Sequence, residues 1–344
     1  MKTVVDSITK LSDFNDKMVV TISHLGFIER TSLTEIHSLT QGGVGIKAFF
    51  TRDNDYVKYV SLATMQSTIL FFTSLGLCYW LKVCDIPESN SNPDENTVQN
   101  LLKIKAGDSI KAFIHVNDYT NVDFLRSHYI VFCTKNGIVK RTCLNDFFRD
   151  RNGIIRPCMN GIKAVHIMEG DTLINAVITN GNNDLMLASS DGRAIRFDEF
   201  QIRTMSRVSS GVLGMSLHDK KDEIVGITYI NGVKTETVMV VCNNGYGIRT
   251  NLEDFRLTKR SNLGLKAMSI KNETERVVAI TMVNDDSDLI IFKKSGGIER
   301  IKVKNVPIKN RATRGVKLIN MFSKNDQIIC VLKVENFDEP EGKL

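Results

Sequence analysis

No two cysteines in this 344-residue sequence are spaced C-x-x-C. The seven present (Cys78, Cys84, Cys133, Cys143, Cys158, Cys242 and Cys330) are odd in number and scattered. That argues against a disulfide framework or a zinc site and fits a reducing compartment. The six histidines form no ligand-like cluster, so no metal is expected. The N-terminus lacks a cationic segment leading into an apolar core, so no secretory signal is expected. The most apolar stretch, Thr68 to Val83, is broken by polar residues and too short to cross a bilayer. The chain therefore reads as cytoplasmic, with no membrane partner. Charge of one sign is not abundant either: 45 Lys and Arg face 39 Asp and Glu, a net +6. So mild an excess must be judged by where it falls.

What the sequence does contain is a repeat. Six apolar runs each end in a glycine, at Gly26, Gly76, Gly137, Gly192, Gly245 and Gly296. Three of the six end in Asn-Gly or Asp-Gly, the strongest short-range signal for a tight hairpin. A second run follows each glycine, and the fourth residue on is Arg30, Trp80, Arg141, Arg196, Arg249 or Arg300. These arginines either extend a basic surface or pair with acids inside and between repeats, and the sequence leaves both open. Trp80 reads as packing.

A second glycine anchor follows, in GIKA at Gly45, GIKA at Gly161, GVLG at Gly211, GLKA at Gly264 and GVKL at Gly315, with NLLK at Asn100 as a divergent sixth. It lies 19 residues past the first anchor in repeats one, four, five and six, and 24 past it in repeats two and three. Another β-rich run closes each repeat. Units of this kind, about four strands each, cannot bury an apolar face alone, whereas six side by side in a ring can. The expected architecture is all-β and blade-repeated.

The positive charge concentrates in the loop before each second anchor. Repeat three carries Arg149, Arg151 and Arg156; repeat four Arg203 and Arg207; repeat five Arg256, Lys259 and Arg260; repeat six Lys309, Arg311 and Arg314. Lys47, Lys163, Lys266 and Lys317 lie two residues past their anchor glycines. At equivalent places in a ring these side chains form a basic belt suited to a phosphate backbone, read without regard to base sequence.

The six repeats, the IPE…VQNLL insertion of the second and SSDGRAIRF…SSGVLGM of the fourth resemble the C-terminal DNA-wrapping domain of the DNA gyrase A protein, over nearly the whole chain. The resemblance implies a six-bladed β-pinwheel over 18–335, after an N-terminal extension (1–17) and before a short acidic tail (336–344). It also implies that duplex DNA wraps on the perimeter and is presented for strand passage. The partners it implies are the breakage-reunion domain of the same gyrase A polypeptide and the gyrase B protein. The family's first-blade signature, Q-R-R-G-G-K-G, aligns with Leu39, Thr40, Gln41, Gly42, Gly43, Val44 and Gly45. The glycines survive and the three basic residues do not, so the strong contacts are expected over blades three to six. None of the seven tyrosines follows an arginine, as the family's DNA-cleaving tyrosine does, and no ATP-binding motif is present. This chain is expected to bind and bend rather than cut, with no cofactor of its own; ATP and Mg would belong to the parent enzyme. The alternatives are the corresponding domain of topoisomerase IV, with weak wrapping, and a propeller-type protein-interaction module.

Overall fold

The computed structural model describes residues 17–32, 55, 57–89, 96–148, 160–230, 232, 236–295, 297–321 and 326–335. It divides into two compact units, Met1–Asn182 with Ile202–Val212, and Asn183–Gln201 with Leu213–Leu344. The chain is all-β, with six small sheets, one per repeat.

In the first unit, β1 (Lys17–Ser23), β2 (Ile28–Ser32) and β3 (Val57–Thr64) take the order β2-β1-β3. β4 (Thr68–Thr73), β5 (Leu77–Lys82) and β6 (Ile110–Val116) are joined by β9 (Ile162–Lys163) in the order β6-β4-β5-β9. β7 (Tyr129–Thr134), β8 (Ile138–Cys143), β10 (Leu173–Thr179) and β13 (Val212–Leu213) follow as β10-β7-β8-β13. In the second unit, β11 (Asp184–Ser189), β12 (Arg193–Asp198) and β14 (Ile224–Ile230) form β14-β11-β12, with β17 (Leu257–Thr258) and β18 (Leu265–Lys266) both against β12. β15 (Thr237–Cys242), β16 (Tyr246–Asn251), β19 (Val277–Val283) and β22 (Val316–Lys317) form β19-β15-β16-β22. β20 (Ser287–Lys293), β21 (Ile298–Lys302) and β23 (Ile328–Glu335) form β21-β20-β23.

The hairpins fall where the first-anchor glycines predict. The second anchor differs from expectation: its strand is not the fourth strand of its own repeat but is donated to the sheet before it. Lys163 pairs with Leu77, Lys266 with Arg193 and Lys317 with Tyr246. Each donated strand covers backbone groups that an edge would otherwise expose. The donated strand also docks on the hairpin glycine of the sheet it joins. Gly76 O accepts from the amides of Ala164 and Val165, Gly192 O from Ala267 and Met268, and Gly245 O from Leu318 and Ile319. The divergent anchor NLLK is not a strand but part of a short helix, Val98–Leu102, capped by the Thr97 side chain. It still docks in the same way, because Val98 N donates to Gly26 O.

The second anchor must be glycine for two reasons, clearest at Gly315. Its φ is 78°, and an added Cβ would sit 2.1 Å from Gly247 O. A side chain there would be strained and would force the donated strand away.

The apolar runs are continuous rather than alternating because each hairpin's first strand is buried on both faces. Successive side chains point to opposite sides. Leu70 and Phe72 of β4 join one core with Phe132 and Phe147, while Ile69 and Phe71 join another with Val20, Ile22 and Leu81. In the second unit, Val238 and Val240 of β15 face Met186 and Ile280, whereas Met239 and Val241 face Leu289 and Ile291. The cores thus lie between successive sheets. Trp80 is packing, as expected, edge-on to Tyr119 and Phe148 at 5.1 and 5.0 Å.

An acid that the repeat pattern does not announce braces most hairpins. Asp55 accepts from Leu25 N, Asp108 from Leu75 N and Ser74 Oγ, Asp171 from Asn136 N, Asp222 from Asp191 N and Ser190 Oγ, and Asp326 from Ser295 N and Oγ. Each carboxylate occupies amides that the turn leaves without strand partners.

The core also carries a pH liability. His115 Nε2, on β6, is sealed from solvent with no hydrogen-bond partner among the described residues. Burial holds this imidazole down to about 4. Between pH 6.5 and 4 the unfolded chain binds a proton that the folded chain refuses, so stability falls as pH drops through that window. From pH 7 to 5 the loss is about 2 kcal/mol. Urea denaturation at the two pH values should show that loss in the natural chain and a smaller one, by about this amount, in His115→Leu.

Candidate nucleic-acid interface

In repeats four to six the loops that carry the expected cations run from a short turn at the end of the hairpin to the donated strand. Two sets of arginines fix their course.

The arginines four residues past the hairpin glycines turn out to be clamps. Arg196 donates to Asp184 Oδ2 from Nε (2.9 Å) and Nη2 (2.7 Å), and Nη1 reaches the carbonyls of Leu252 and Phe255 in the next repeat. Arg249, buried, donates to Thr237 Oγ1, Val303 O and Asp285 at 2.8, 3.2 and 2.7 Å. Arg30 donates to Ile86 O at 2.7 Å and pairs with Glu88 at 2.9 Å. Arg141 lies 4.8 Å over the Tyr129 ring, and Arg300 pairs with Asp288. The main chain grips too: Met205 N donates to Arg141 O and Lys309 N to Arg249 O. For Arg30, Arg196, Arg249 and Arg300 the question the sequence leaves open is answered for pairing with acids. Only arginine presents this many donors in one plane.

A second set, four residues before the second-anchor glycine, forms a fork. Arg260 donates from Nε to Gln201 O (3.1 Å) and from Nη1 to Leu213 O (2.8 Å). Arg311 repeats this one sheet further on, from Nε to Asp254 O (3.1 Å) and from Nη1 to Lys266 O (3.3 Å). Equivalent atoms meet equivalent carbonyls, one at the end of a 3-10 turn and one in a donated strand. The residue after each fork, Ser261 or Ala312, has a positive φ of 68° or 64°. That reversal carries the chain back over the guanidinium. Both arginines remain half-exposed, with Nη2 outside these bonds. Arg314 is committed differently: it pairs with Glu275 at 2.9 Å and stacks 4.1 Å over Tyr246.

The remaining described candidates face solvent. Arg203, Arg256, Lys259, Lys266, Lys309 and Lys317 are exposed, and among the described residues none makes an ion pair. Lys163 is exposed and donates to His166 Nδ1 at 3.0 Å. Arg207 is half-buried. Lys47, Arg149, Arg151, Arg156 and the segment Leu39, Thr40, Gln41, Gly42, Gly43, Val44 and Gly45 lie outside the described residues. Among the described residues, then, Lys266 and Lys317 in the second unit recur two residues past their anchor glycines, as Lys163 does in the first, and Arg203 and Arg256 each lie eight residues before one. Such an arrangement can neutralise a line of phosphates. Among the described residues no group of His, Cys, Asp and Glu could hold a metal, and no helix is long and apolar enough to cross a membrane.

A family model described as "DNA gyrase C-terminal domain, beta-propeller" matches residues 17–63, 67–92, 128–152, 183–231, 236–284 and 288–335, following the six repeats. The DNA gyrase A protein of Staphylococcus aureus strain NCTC 8325 is 33% identical over 328 residues, covering 95% of this chain and 35% of that protein. The protein of strain MRSA252 is 33% identical over 330 residues, covering 95% and 36%. The chain spans about a third of the length of these relatives. Among solved structures, the C-terminal domain of DNA topoisomerase IV aligns with a TM-score of 0.74 at 24% identity, covering 93% of this chain and 94% of that one. A DNA gyrase A C-terminal domain aligns at 0.70 with 20% identity, covering 92% and 99%. At these identities the two structures speak to fold alone.

One titratable group beneath the loops escaped sequence reasoning. Lys140 is buried, with Nζ donating to Ala164 O (2.5 Å) and Arg207 O (2.7 Å) and lying 5.5 Å from the Phe132 ring centre. It ties the repeat-four loop to a donated strand. Burial, then the Arg207 charge, push the amine down to about 7, against the pull of Asp146. Above pH 7 the folded amine releases its proton while the unfolded chain keeps one up to about pH 10.5. Its destabilisation is therefore complete below pH 7 and shrinks as pH rises. Between pH 7 and 9 the natural chain should gain stability relative to Lys140→Met, on the order of 2 kcal/mol. Parallel denaturation curves at the two pH values measure it.

Proposed function

Because the chain belongs to the DNA gyrase C-terminal domain family, we propose that it binds and bends duplex DNA along its basic loops, without regard to base sequence. In the longer protein that its relatives' length suggests, the bent DNA is presented for strand passage by DNA gyrase. The breakage-reunion part of the same polypeptide and the gyrase B protein are the partners in that reading, and ATP use lies with the whole enzyme.

The observation that carries the proposal is the set of exposed loop cations without acidic partners among the described residues, with Lys163, Lys266 and Lys317 at one matching position and Arg203 and Arg256 at another. A solvated surface has no reason to repeat them, and a protein-binding ring no need of so many. If seven phosphates are neutralised by Lys163, Arg203, Arg256, Lys259, Lys266, Lys309 and Lys317, log K against log salt should have a slope of about −6. Bending a segment of 20–30 base pairs by 40–90° costs on the order of 1–6 kcal/mol. A line of such contacts exceeds that at low salt, and one loop does not.

The loss of the three basic residues from the first-blade signature favours a second reading. In it the chain serves topoisomerase IV and wraps weakly. Ligating nicked circles around the chain and measuring linking number separates the two. A clear shift of positive handedness supports gyrase, and no shift supports topoisomerase IV.

The salt series gives the sharper test. Replacing Arg256, Lys266, Lys309 and Lys317 together by Ala should flatten the slope by about 3 to 4 and leave the urea midpoint unchanged. Arg260→Ala and Arg311→Ala should lower that midpoint as well as the affinity, because each removes two hydrogen bonds to backbone carbonyls. Binding indifferent to salt in the natural chain sinks the DNA reading.

A further inference from the structure

In the second unit the basic loops also expose aliphatic side chains, and two of these occupy equivalent sites. Leu257 and Ile308 each lie seven residues before a second-anchor glycine and are 54% and 48% exposed. Single exposed aliphatics are ordinary on any surface. These two differ in being tied to the neighbouring sheet and flanked along the chain by exposed cations.

Leu257 pairs in parallel with Arg196, and Ile308 bridges Arg249 in parallel, so each side chain stands beside a clamp arginine. The neighbouring residues are tied down. Gln201 Nε2 donates to Thr258 O and Thr258 Oγ1 to Arg196 O, while Lys309 N donates to Arg249 O. The Arg260 and Arg311 forks then fix the far side of each loop. Arg256 precedes Leu257, Lys259 follows two residues on, and Lys309 follows Ile308; all three are exposed. Among the described residues the matching positions in the first unit are polar, Glu88, paired with Arg30, and Thr204; Ile154, seven residues before Gly161, lies outside the described residues.

Resting on the DNA reading above, we infer that Leu257 and Ile308 are preformed apolar studs that enter the minor groove of duplex lying on the basic loops of the second unit and kink it toward its major groove. Charge complementarity selects the occupant. The cations flanking each apolar side chain repel a basic surface and attract phosphates, and a duplex sets phosphates on either side of a groove walled by apolar sugar edges, with base faces exposed where a step opens. Side chains of this type open base steps, and a rigid mounting spares the ordering cost on binding. Because pyrimidine–purine steps unstack most easily, the studs give a domain that reads no bases a preference for DNA with such steps.

The test uses the full chain and the double variant Leu257→Ser/Ile308→Ser. Its side chains are exposed, so an unchanged urea midpoint certifies the fold. Thirty-base-pair duplexes with and without central TA steps, labelled at both ends, report affinity and bend together. The variant should bind TA-bearing duplex roughly ten-fold more weakly, a loss typical of removing two partly buried aliphatic contacts. It should bend that duplex less, lose the preference for TA steps and keep the natural salt slope. Equal affinity, bend and preference in both proteins overturns the inference while leaving the phosphate contacts standing. A natural chain that sediments as a dimer without DNA, beside a monomeric variant, also overturns it, by assigning the studs to contact between copies. Failure of the DNA reading itself is visible separately, as salt-indifferent binding by the natural chain.

Discussion

The structure depends on an exchange: among the described residues, each short second-anchor strand leaves its own repeat and closes the sheet before it. Two residues of ladder are a weak bond, and the fold reinforces them with main-chain contacts. The Gly192 carbonyl takes two amides of the incoming segment, and the Gly264 anchor presses against Ala194 with no room for a Cβ. A sheet that lends its edge to its neighbour cannot be finished alone. Stability in such an array resides in the joints between units as much as in the units themselves.

The same exchange explains the arrangement of the cores. A hairpin strand flanked by sheets on both sides must be apolar at every position, and β15 is buried throughout. Its odd and even residues serve different interfaces, Val240 one and Val241 the other. Burying such strands also strips water from the polar groups at the joints, which is why the joints are built from arginine. In a partly dehydrated place a guanidinium can satisfy several carbonyls and a carboxylate at once, and Arg249 does so with Val303 O and Asp285.

The features set by backbone conformation were legible in advance. Positive φ at Gly137, Gly192 and Gly245 follows from Asn-Gly and Asp-Gly, and the two-anchor spacing delivered six sheets. What could not be read was which sheet the second anchor joins, because period and spacing are the same whether a strand stays in its repeat or crosses to the next. Arg196 and Arg249 recur as regularly as any cation in the sequence and are clamps, since recurrence reveals equivalence but not exposure. Asp171 and Asp222 were overlooked because their place, about thirty residues past the glycine, shifts with loop length. Lys140 was invisible for the opposite reason: a lone lysine in a strand gives no sign that two carbonyls await it. Leu257 and Ile308 carry no signal of their own among the loop cations, and their exposure comes from the fold alone.

These distinctions divide the basic residues into those that build the loops and those that the loops display. A net charge of +6 conceals the division, since the clamps are largely neutralised by Asp184, Asp285, Asp288 and Glu88. On the proposed reading the two groups work in series. An exposed lysine–phosphate contact is weak and screened by salt, and on a floppy loop it loses much of its value to the ordering of the chain. Fork and clamp arginines remove that disorder before DNA arrives, so that Lys309 meets its phosphate from a backbone already hydrogen-bonded to Arg249. Bending then draws on contacts little diminished by loop ordering. It follows that the arginines least able to touch DNA still raise the affinity for it, and that charge counted along the sequence is a poor measure of how strongly such a domain bends a duplex.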